Sequence, residues 1–321
     1  LGDCLAAVLD KAGYNAWREF YVNDAGNQIE KFGCSLEARY LQIFKGDEIE
    51  FPEDGYQGED IKDLAKEYAD LNGDSLVNVS AEERKKALVD YALPKNIKKM
   101  QADMEKYKIY YDKWFFESEL HKSGAVKAVV DLLTKKGLTY EKDGAVWYKN
   151  KEVLTQKLLK EGKSQKYIDN LELKDDVLIR QNGNPTYFTA DIAYHKNKFD
   201  RGFTTLIDVW GADHHGHVMR MKGAMDAIGY DGDKLNVVLM QLVKLVKDGE
   251  LVRMSKRTGK AIQLGDLLDE VPVDSARFLF NTKEANTQMD FDLDLAVSQD
   301  NQNPVYYVQY AHARICSIFK S

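Results

Sequence analysis

The stretch from 204 to 246 leaves this chain few folds to choose from. "TTLIDVW" (204–210) fills the length of one strand with β-branched and apolar residues, and "KLNVVLMQLVKLV" (234–246) reads as another strand. The first is expected to be a buried strand ending at Gly211. A helix spanning about 216 to 228 fills the gap between the two. Strand, helix, strand at this spacing makes a parallel pair with a right-handed crossover, because a right-twisted strand feeding a helix packs back on the sheet only that way. The expected class is therefore α/β, built on a Rossmann-type parallel sheet.

The rest of the chain continues that alternation with one interruption. "LGDCLAAVLDKAGY" sets Leu1, Leu5, Val8, Leu9 and Ala12 on one helical face and stops at Gly13. "NAWREFYV" reads as a strand, "VNDAGNQIEKFGCSLEARYLQIF" as a turn and helix, and "FPEDGYQGEDIKDLAKEYADL" as a loop feeding a helix. From about 80 to 137 the text is helical and lysine-rich, which predicts a solvated face. "EKDGAVWYK" predicts a hairpin, and "DDVLIRQNGNPTYFTA" predicts two strands around an Asn-Gly turn, with Thr189 capping the helix that follows. Asp248-Gly249 turns the chain back through "ELVRMS". Asn303 and Pro304 open a last helix as cap and first position.

The expected organisation is a first part of the core over 1–60, a mainly helical insertion over 61–172, the second half of the core over 173–293, and the start of a helical domain over 294–321. The chain starts inside a helix without Met and ends without a C-cap, so it is expected to be an internal piece of a longer protein. A net charge of −7 gives no whole-molecule attraction to nucleic acid, so an RNA contact would need a local basic patch. Cys4, Cys34 and Cys316 lie far apart, which suggests neither a disulfide framework nor a thiolate zinc site and fits a reducing cytoplasm. No apolar run approaches membrane-spanning length.

Four stretches have the residue types that chemistry needs. "GADHHGH" (211–217) gathers Asp213, His214, His215 and His217, half of the chain's six histidines. A zinc site needs three or four ligands converging on one point. Consecutive residues at a strand end point to opposite faces, so Asp213, His214 and His215 cannot all converge. A metal-dependent hydrolase using Asp213, His214 and His217 remains one reading, and polar capping of the helix start a second. The third is a nucleotide site, because open α/β sheets bind ligands at the carboxyl ends of strands. There Gly211 lets a ligand approach and Asp213 offers a carboxylate to ribose hydroxyls.

"VRMSKRTGK" clusters Arg253, Met254, Ser255, Lys256, Arg257 and Lys260 around Gly259, either as a basic surface turn or as a loop that neutralises a polyphosphate. "YFTADIAYH" sets Asp191 one helical turn from Tyr187, an arrangement that either favours the helix dipole or receives a guanidinium. "YVNDAGNQI" places Asn23, Asp24, Asn27 and Gln28 around Gly26 in a polar turn that could line a pocket.

In this order, these pieces resemble the catalytic core of the arginine–tRNA ligases, a class I aminoacyl-tRNA synthetase family. The matching text includes "YVNDAGNQI", "PEDGYQGEDI", "GAVWY", "YFTADIAYHKNKFDRGF", "VWGADHHGHV", "VRMSKRTGK", "DFDLDLA" and "NPVYYVQYAHARI", from about 21 to 316. The resemblance implies ATP with Mg²⁺, arginine and a tRNA for arginine as substrates, a cytoplasmic monomer, and no protein-bound metal. It implies ATP contacts from Gly211, Asp213, His214, His217, Met254 and Lys256, and arginine contacts from Tyr187, Asp191, Asn23 and Asp24. Arg253, Ser255 and Lys256 would act in catalysis; "RMSKR" departs from the family's KMSKS loop at both ends but keeps the second lysine as Lys256. The segment from about 294 would open the family's anticodon-binding helical domain. The family's His-x-Gly-His motif does not occur in residues 1–321, so this piece alone is expected to be a poor catalyst. A non-catalytic RNA-binding paralogue using the lysine-rich stretch is the further alternative.

Overall fold

Dipeptides that demand a left-handed backbone set the tight reversals of the chain. In this computed structural model, which describes residues 1–252 and 262–320, Asp143-Gly144 and Asp248-Gly249 all take positive φ, between 52° and 77°. Two such residues in succession make the hairpin turn whose twist matches the flanking strands. Both predicted reversals therefore form. Arg253, Met254, Ser255, Lys256, Arg257 and Lys260 lie outside the described residues.

The chain divides into two compact units, one of residues 1–18 with 119–321 and one of residues 19–118. The first unit opens with α1 (Gly2–Lys11), which Gly13 ends with φ 93°. The expected apolar face of α1 stays partly open, with Val8 exposed. Its anchoring is ionic, because Asp3 meets both Arg18 Nε at 3.0 Å and Arg277. Burial by itself would raise the Asp3 carboxyl, but Arg277 and Arg18 hold it below its ordinary value.

The second unit holds β1 (Glu19–Val22), α2 (Asn27–Lys45), α3 (Glu59–Asn72), α4 (Ala81–Lys106) and β2 (Lys113–Phe116). β2 pairs parallel with β1, Glu19 opposite Lys113 and Val22 opposite Phe116. This strand falls in the stretch expected to be helical throughout. The apolar faces of α2, α3 and α4 meet in a core of Phe32, Leu36, Tyr40, Ile61, Leu64 and Leu88. Ser80 and Glu83 close a reciprocal capping box at the start of α4. Buried Arg84 donates to the carbonyls of Leu76 and Val79 and to Glu37 Oε1 at 2.7 Å. Tyr40 Oη donates to the Gly73 carbonyl at 2.8 Å and accepts from Leu76 N–H, so one phenol fixes the α3–α4 connection.

From α5 (Glu117–Lys122) the chain runs through α6 (Ala125–Lys135), β3 (Thr139–Lys142), β4 (Ala145–Tyr148), α7 (Asn150–Lys160), α8 (Gln165–Asp169) and β5 (Asp176–Ile179). β3, β4 and β5 form an antiparallel sheet. The second strand expected after the Asn-Gly turn is absent. Only Pro185 bridges back to Ile179, and α9 (Tyr187–Asp200) begins at once. Thr186, not Thr189, stands at the helix cap position. The two hydroxyls instead donate to the Val177 and Leu178 carbonyls, both at 2.7 Å, and tie the first turn of α9 to β5.

Next come β6 (Leu206–Gly211), α10 (His215–Ile228) and β7 (Leu235–Met240), with β6 and β7 parallel in the register Leu206↔Leu235. This is the crossover that the alternation of 204–246 required. Two details differ. β6 is not uniformly buried, because Ile207 and Val209 are each 39% exposed while Asp208 faces inward. The run 234–246 is also two strands, broken where Gln241 N–H leaves the ladder for the Ala285 carbonyl. β8 (Val243–Lys247) and β9 (Glu250–Val252) form the hairpin at Asp248-Gly249. α11 (Leu264–Glu270) and α12 (Val273–Leu279) precede β10 (Met289–Asp292), which pairs parallel with β8. α13 (Leu293–Val297) and α14 (Pro304–Lys320) follow, and Asn303 Oδ1 accepts from Val305 N–H at the start of α14 as its cap position requires.

Candidate active site

β6 delivers "GADHHGH" to the carboxyl end of the parallel pair. Gly211 is the last strand residue, Ala212–His214 form one 3-10 turn, and α10 starts at His215 without a side-chain cap. Gly211 has an ordinary φ of −66°, so its backbone does not require glycine. Nor does space demand it: a Cβ there would press chiefly on the Asp213 carboxylate, the end of an exposed side chain that can turn aside.

The three imidazoles of the stretch part company. The side chains of Asp213 and His214 are 82% and 58% exposed, and His215 is exposed too. His217, one helical turn on, points inward with 16% of its side chain exposed. Its Nε2 lies 2.9 Å from Asp191 Oδ2. Its ring packs against Trp210 at 5.2 Å and edge-on against Phe188 at 5.6 Å. Among the described residues, no three His, Cys, Asp or Glu side chains converge as metal ligands would. The cluster is thus a divided one, with three outward side chains and an inward histidine bound to a carboxylate on α9.

On α9, Tyr187 opens the helix and is half-exposed, and Asp191 follows one turn later. One third of the Asp191 side chain remains open to solvent. Phe188, between them in sequence, is buried and carries the Arg220 guanidinium over its ring at 4.9 Å. Arg220 also grips Asp176, with Nε 3.1 Å from Oδ2 and Nη2 on Oδ1. Burial raises the Asp176 carboxyl; Arg220 and His217 pull it down but leave it above its ordinary value. Buried Tyr148 is paired in register with Asp176 and has its phenol pushed up by burial and by the charges of Asp176 and Asp226.

A buried cluster of charge lies between α9 and β6. Asp208, in the middle of β6, accepts from Lys198 Nζ at 2.7 Å and faces His195 Nε2 at 2.5 Å. Burial alone would raise its carboxyl, but Lys198 and His195 bring it far below the carboxylate range. Lys198, Asp208, Asp176 and Arg220 escaped the reading of the sequence, and His195, one turn after Asp191, was given no role. For three of them a signal was present: Asp208, an aspartate inside an apolar strand, needs a buried partner, and His195 and Lys198 share a helical face three residues apart.

Asn23 and Asp24 belong to the other unit. Asp24 Oδ1 accepts from Ser118 N–H at 2.8 Å, in the first turn of α5. The Asn23 amide is satisfied with its nitrogen towards Glu117 Oε2 at 3.1 Å and the Ala25 carbonyl at 2.9 Å. Both side chains therefore hold the turn between β1 and α2 to the end of β2. Arg253, Met254, Ser255 and Lys256, expected at the phosphates, fall outside the described residues.

Comparison with known proteins finds one family over almost the whole chain. A family model described as tRNA synthetases class I (R), catalytic domain, matches residues 1–316. The arginine–tRNA ligase of Ruminiclostridium cellulolyticum is 58% identical over 322 residues, which cover 100% of this chain and 54% of that protein. The arginine–tRNA ligase of Caldanaerobacter subterraneus is 58% identical over 321 residues, with the same coverage. The chain thus spans about half the length of the curated relatives it matches. A structure described as an arginyl-tRNA synthetase of Campylobacter jejuni superposes with a TM-score of 0.82 at 37% identity, covering 99% of this chain and 66% of that one. The Thermus thermophilus arginyl-tRNA synthetase, at 20% identity and a TM-score of 0.67, shares the fold over 99% of this chain and 60% of its own. With its strand–helix–strand crossover, its divided GADHHGH turn and this match over nearly all its length, the chain belongs to the class I (R) tRNA synthetase family, of whose fold it carries the catalytic domain.

Proposed function

We propose that the whole protein joins arginine to its tRNA at the expense of ATP. In the first step an arginine carboxylate oxygen attacks the α-phosphorus of ATP, forming arginyl-adenylate as the bond to pyrophosphate breaks. In the second, a terminal ribose hydroxyl of the tRNA attacks the activated carbonyl; it loses its proton as AMP leaves. The observation that carries this reading is the part-open Asp191 carboxylate, held by His217 beside the carboxyl end of β6.

Asp191 would receive the arginine guanidinium, with Tyr187 flanking it, because a carboxylate takes a guanidinium through charge-assisted, bidentate hydrogen bonds. Gly211, Asp213 and His214 would meet ATP, the glycine by leaving room and the carboxylate by accepting from ribose hydroxyls. The uncapped first turn of α10 offers backbone N–H groups of the kind that suit phosphate. Lys256, with Arg253, Met254 and Ser255, would neutralise the charge growing on departing pyrophosphate. Asn23 and Asp24 would line the amino-acid side. Mg²⁺ would arrive on the ATP phosphates, where it offsets their charge; the described residues offer no convergent ligand set that calls for a resident ion.

We further read the protein as a cytoplasmic monomer, whose segment 294–321 opens an anticodon-binding domain and whose residues 61–172 are an insertion. Among the described residues no helix is long and apolar enough to cross a membrane. The test is arginine-dependent exchange of pyrophosphate into ATP by the full-length protein with its tRNA, followed by charging of that tRNA. Exchange driven by another amino acid would remove arginine as the substrate, and no exchange with folded protein would favour a non-catalytic RNA-binding paralogue.

A further inference from the structure

The Lys198–Asp208–His195 group is an unusual thing to bury. Their side chains are 11%, 11% and 3% exposed. Taking three ionisable groups out of water costs free energy that their mutual attraction often fails to repay, and apolar residues of similar volume would commonly hold helix to strand as well. Stability is therefore a weak reason for the arrangement, and its geometry suggests a stronger one.

His195 lies one helical turn beyond Asp191. Its Nδ1 is 2.7 Å from the Asp191 carbonyl, which can only accept, so Nδ1 donates and the ring plane is set by the backbone at Asp191. The opposite nitrogen then points at Asp208 Oδ2. Lys198 reaches Oδ1 of the same carboxylate and lies 4.3 Å over the Tyr194 ring. Two successive positions on one face of α9 thus grip the two oxygens of a single strand residue. Such a double attachment fixes both the slide of α9 along β6 and its rotation about its own axis. Rotation decides where the Asp191 side chain points.

The same group reaches Asp191 from the other side. Trp210, two residues after Asp208 and therefore on the same face of β6, stands edge-on to His195 at 6.1 Å and packs on His217 at 5.2 Å. His217 holds the Asp191 carboxylate. Backbone and side chain of Asp191 are both referred to Asp208.

We infer that Lys198, Asp208 and His195 are positioning residues that aim the Asp191 carboxylate at the guanidinium of arginine. This rests on the reading of Asp191 as the guanidinium partner. The group touches no substrate and acts through Asp191 alone.

The experiment is arginine-dependent ATP–pyrophosphate exchange with the full-length enzyme and its tRNA, comparing Asp208→Asn, His195→Gln, Asp191→Asn and the double variant Asp191→Asn/Asp208→Asn. Asp208→Asn and His195→Gln should each raise the arginine KM about tenfold, the effect of a small misplacement, while the ATP KM stays within about twofold. The double variant should show an arginine KM no higher than Asp191→Asn alone, because a residue that acts through Asp191 has nothing left to aim. Equal rises in both KM values, or additive effects in the double variant, would overturn the inference. If Asp208→Asn does not fold, His195→Gln carries the same cycle. An unchanged arginine KM in Asp191→Asn removes the underlying reading of Asp191. A raised one, with Asp208→Asn and His195→Gln at the level of the unaltered enzyme, removes only the positioning role.

Discussion

His217 Nε2 lies 2.9 Å from Asp191 Oδ2, so the carboxylate proposed for the guanidinium already carries one hydrogen bond from the GADHHGH turn. The turn is therefore not a single ligand set. Its inward histidine is bound to Asp191, whereas Asp213 and His214 face outward; under the proposed function the first belongs to the amino-acid side and the other two to ATP.

That division predicts opposite effects from two neighbouring histidines. His217→Ala should raise the arginine KM about tenfold, since a hydrogen bond to a charged group contributes roughly 1.5–3 kcal/mol and the freed carboxylate loses its aim. His214→Ala should act on the ATP KM instead. Steady-state exchange kinetics with each substrate varied in turn measure both. An ATP effect from His217→Ala as large as its arginine effect would return His217 to the nucleotide side.

Lys256 follows from the resemblance of "RMSKR" to a phosphate-neutralising loop. Lys256→Ala should slow adenylate formation by a hundredfold or so, in the range for one electrostatic contact to a transition state, and leave arginine affinity within about twofold. Single-turnover adenylation with equilibrium arginine binding separates the two. Unchanged exchange in the variant would remove the phosphate role.

Much of this was legible in the residues. The 204–246 crossover, both hairpin turns and the polar turn after β1 follow from local chemistry that no distant contact overrides. β2 was not legible, because Lys-Trp-Phe-Phe acquires its strand character from β1, far upstream, and follows a helix of 26 residues. The start of α9 was misjudged for a related reason. Thr189 resembles a cap, yet its hydroxyl is drawn to the Leu178 carbonyl of β5. β6 was read as buried along its length, yet Ile207 and Val209 are partly open and Asp208 turns inward to partners on α9. At the site, the residue types were legible and their pairings were not.

Arg84 joins the Glu37 carboxylate to three carbonyls of the loop before α4. Arg84→Ala leaves those acceptors buried without donors and should cost about 3 kcal/mol, in the range for breaking a buried hydrogen-bonded pair. Urea unfolding followed by circular dichroism checks it. A loss below about 1 kcal/mol would mean that water replaces the guanidinium.

Tyr148 is fully buried and its hydroxyl has no hydrogen-bond partner among the described residues. An unsatisfied buried hydroxyl costs free energy that its removal recovers, so Tyr148→Phe should be neutral or stabilising by about 1 kcal/mol. The same urea titration decides it, and a clear destabilisation would point to a bridging water.

Asp208 and Asp176 predict opposite pH dependences. The folded state holds the Asp208 carboxyl below its ordinary value of 3.8, after Lys198 and His195 overcome the effect of burial. Its ionised form therefore stabilises the fold above that value, and the contribution is lost as pH falls towards the lower folded value. Burial leaves the Asp176 carboxyl above 3.8 despite Arg220 and His217. There the protonated form is favoured by folding, so its contribution is present below 3.8 and lost as pH rises through the higher folded value. At neutral pH Asp176 is thus a net cost and Asp208 a net gain. Asp176→Asn should leave stability at pH 7 within about 0.5 kcal/mol of the unaltered protein, because the freed Arg220 is 36% exposed and can turn to water. Asp208→Asn leaves Lys198 and His195 buried without their anion and should lose several kcal/mol, in the range for removing one partner of a buried charge pair. Denaturant titrations of the three proteins between pH 2 and 8 read both effects, the Asp208 contribution fading below 3.8 and the Asp176 contribution above it. Equal losses at pH 7 would mean that Arg220 makes Asp176 as favourable as the buried pair makes Asp208.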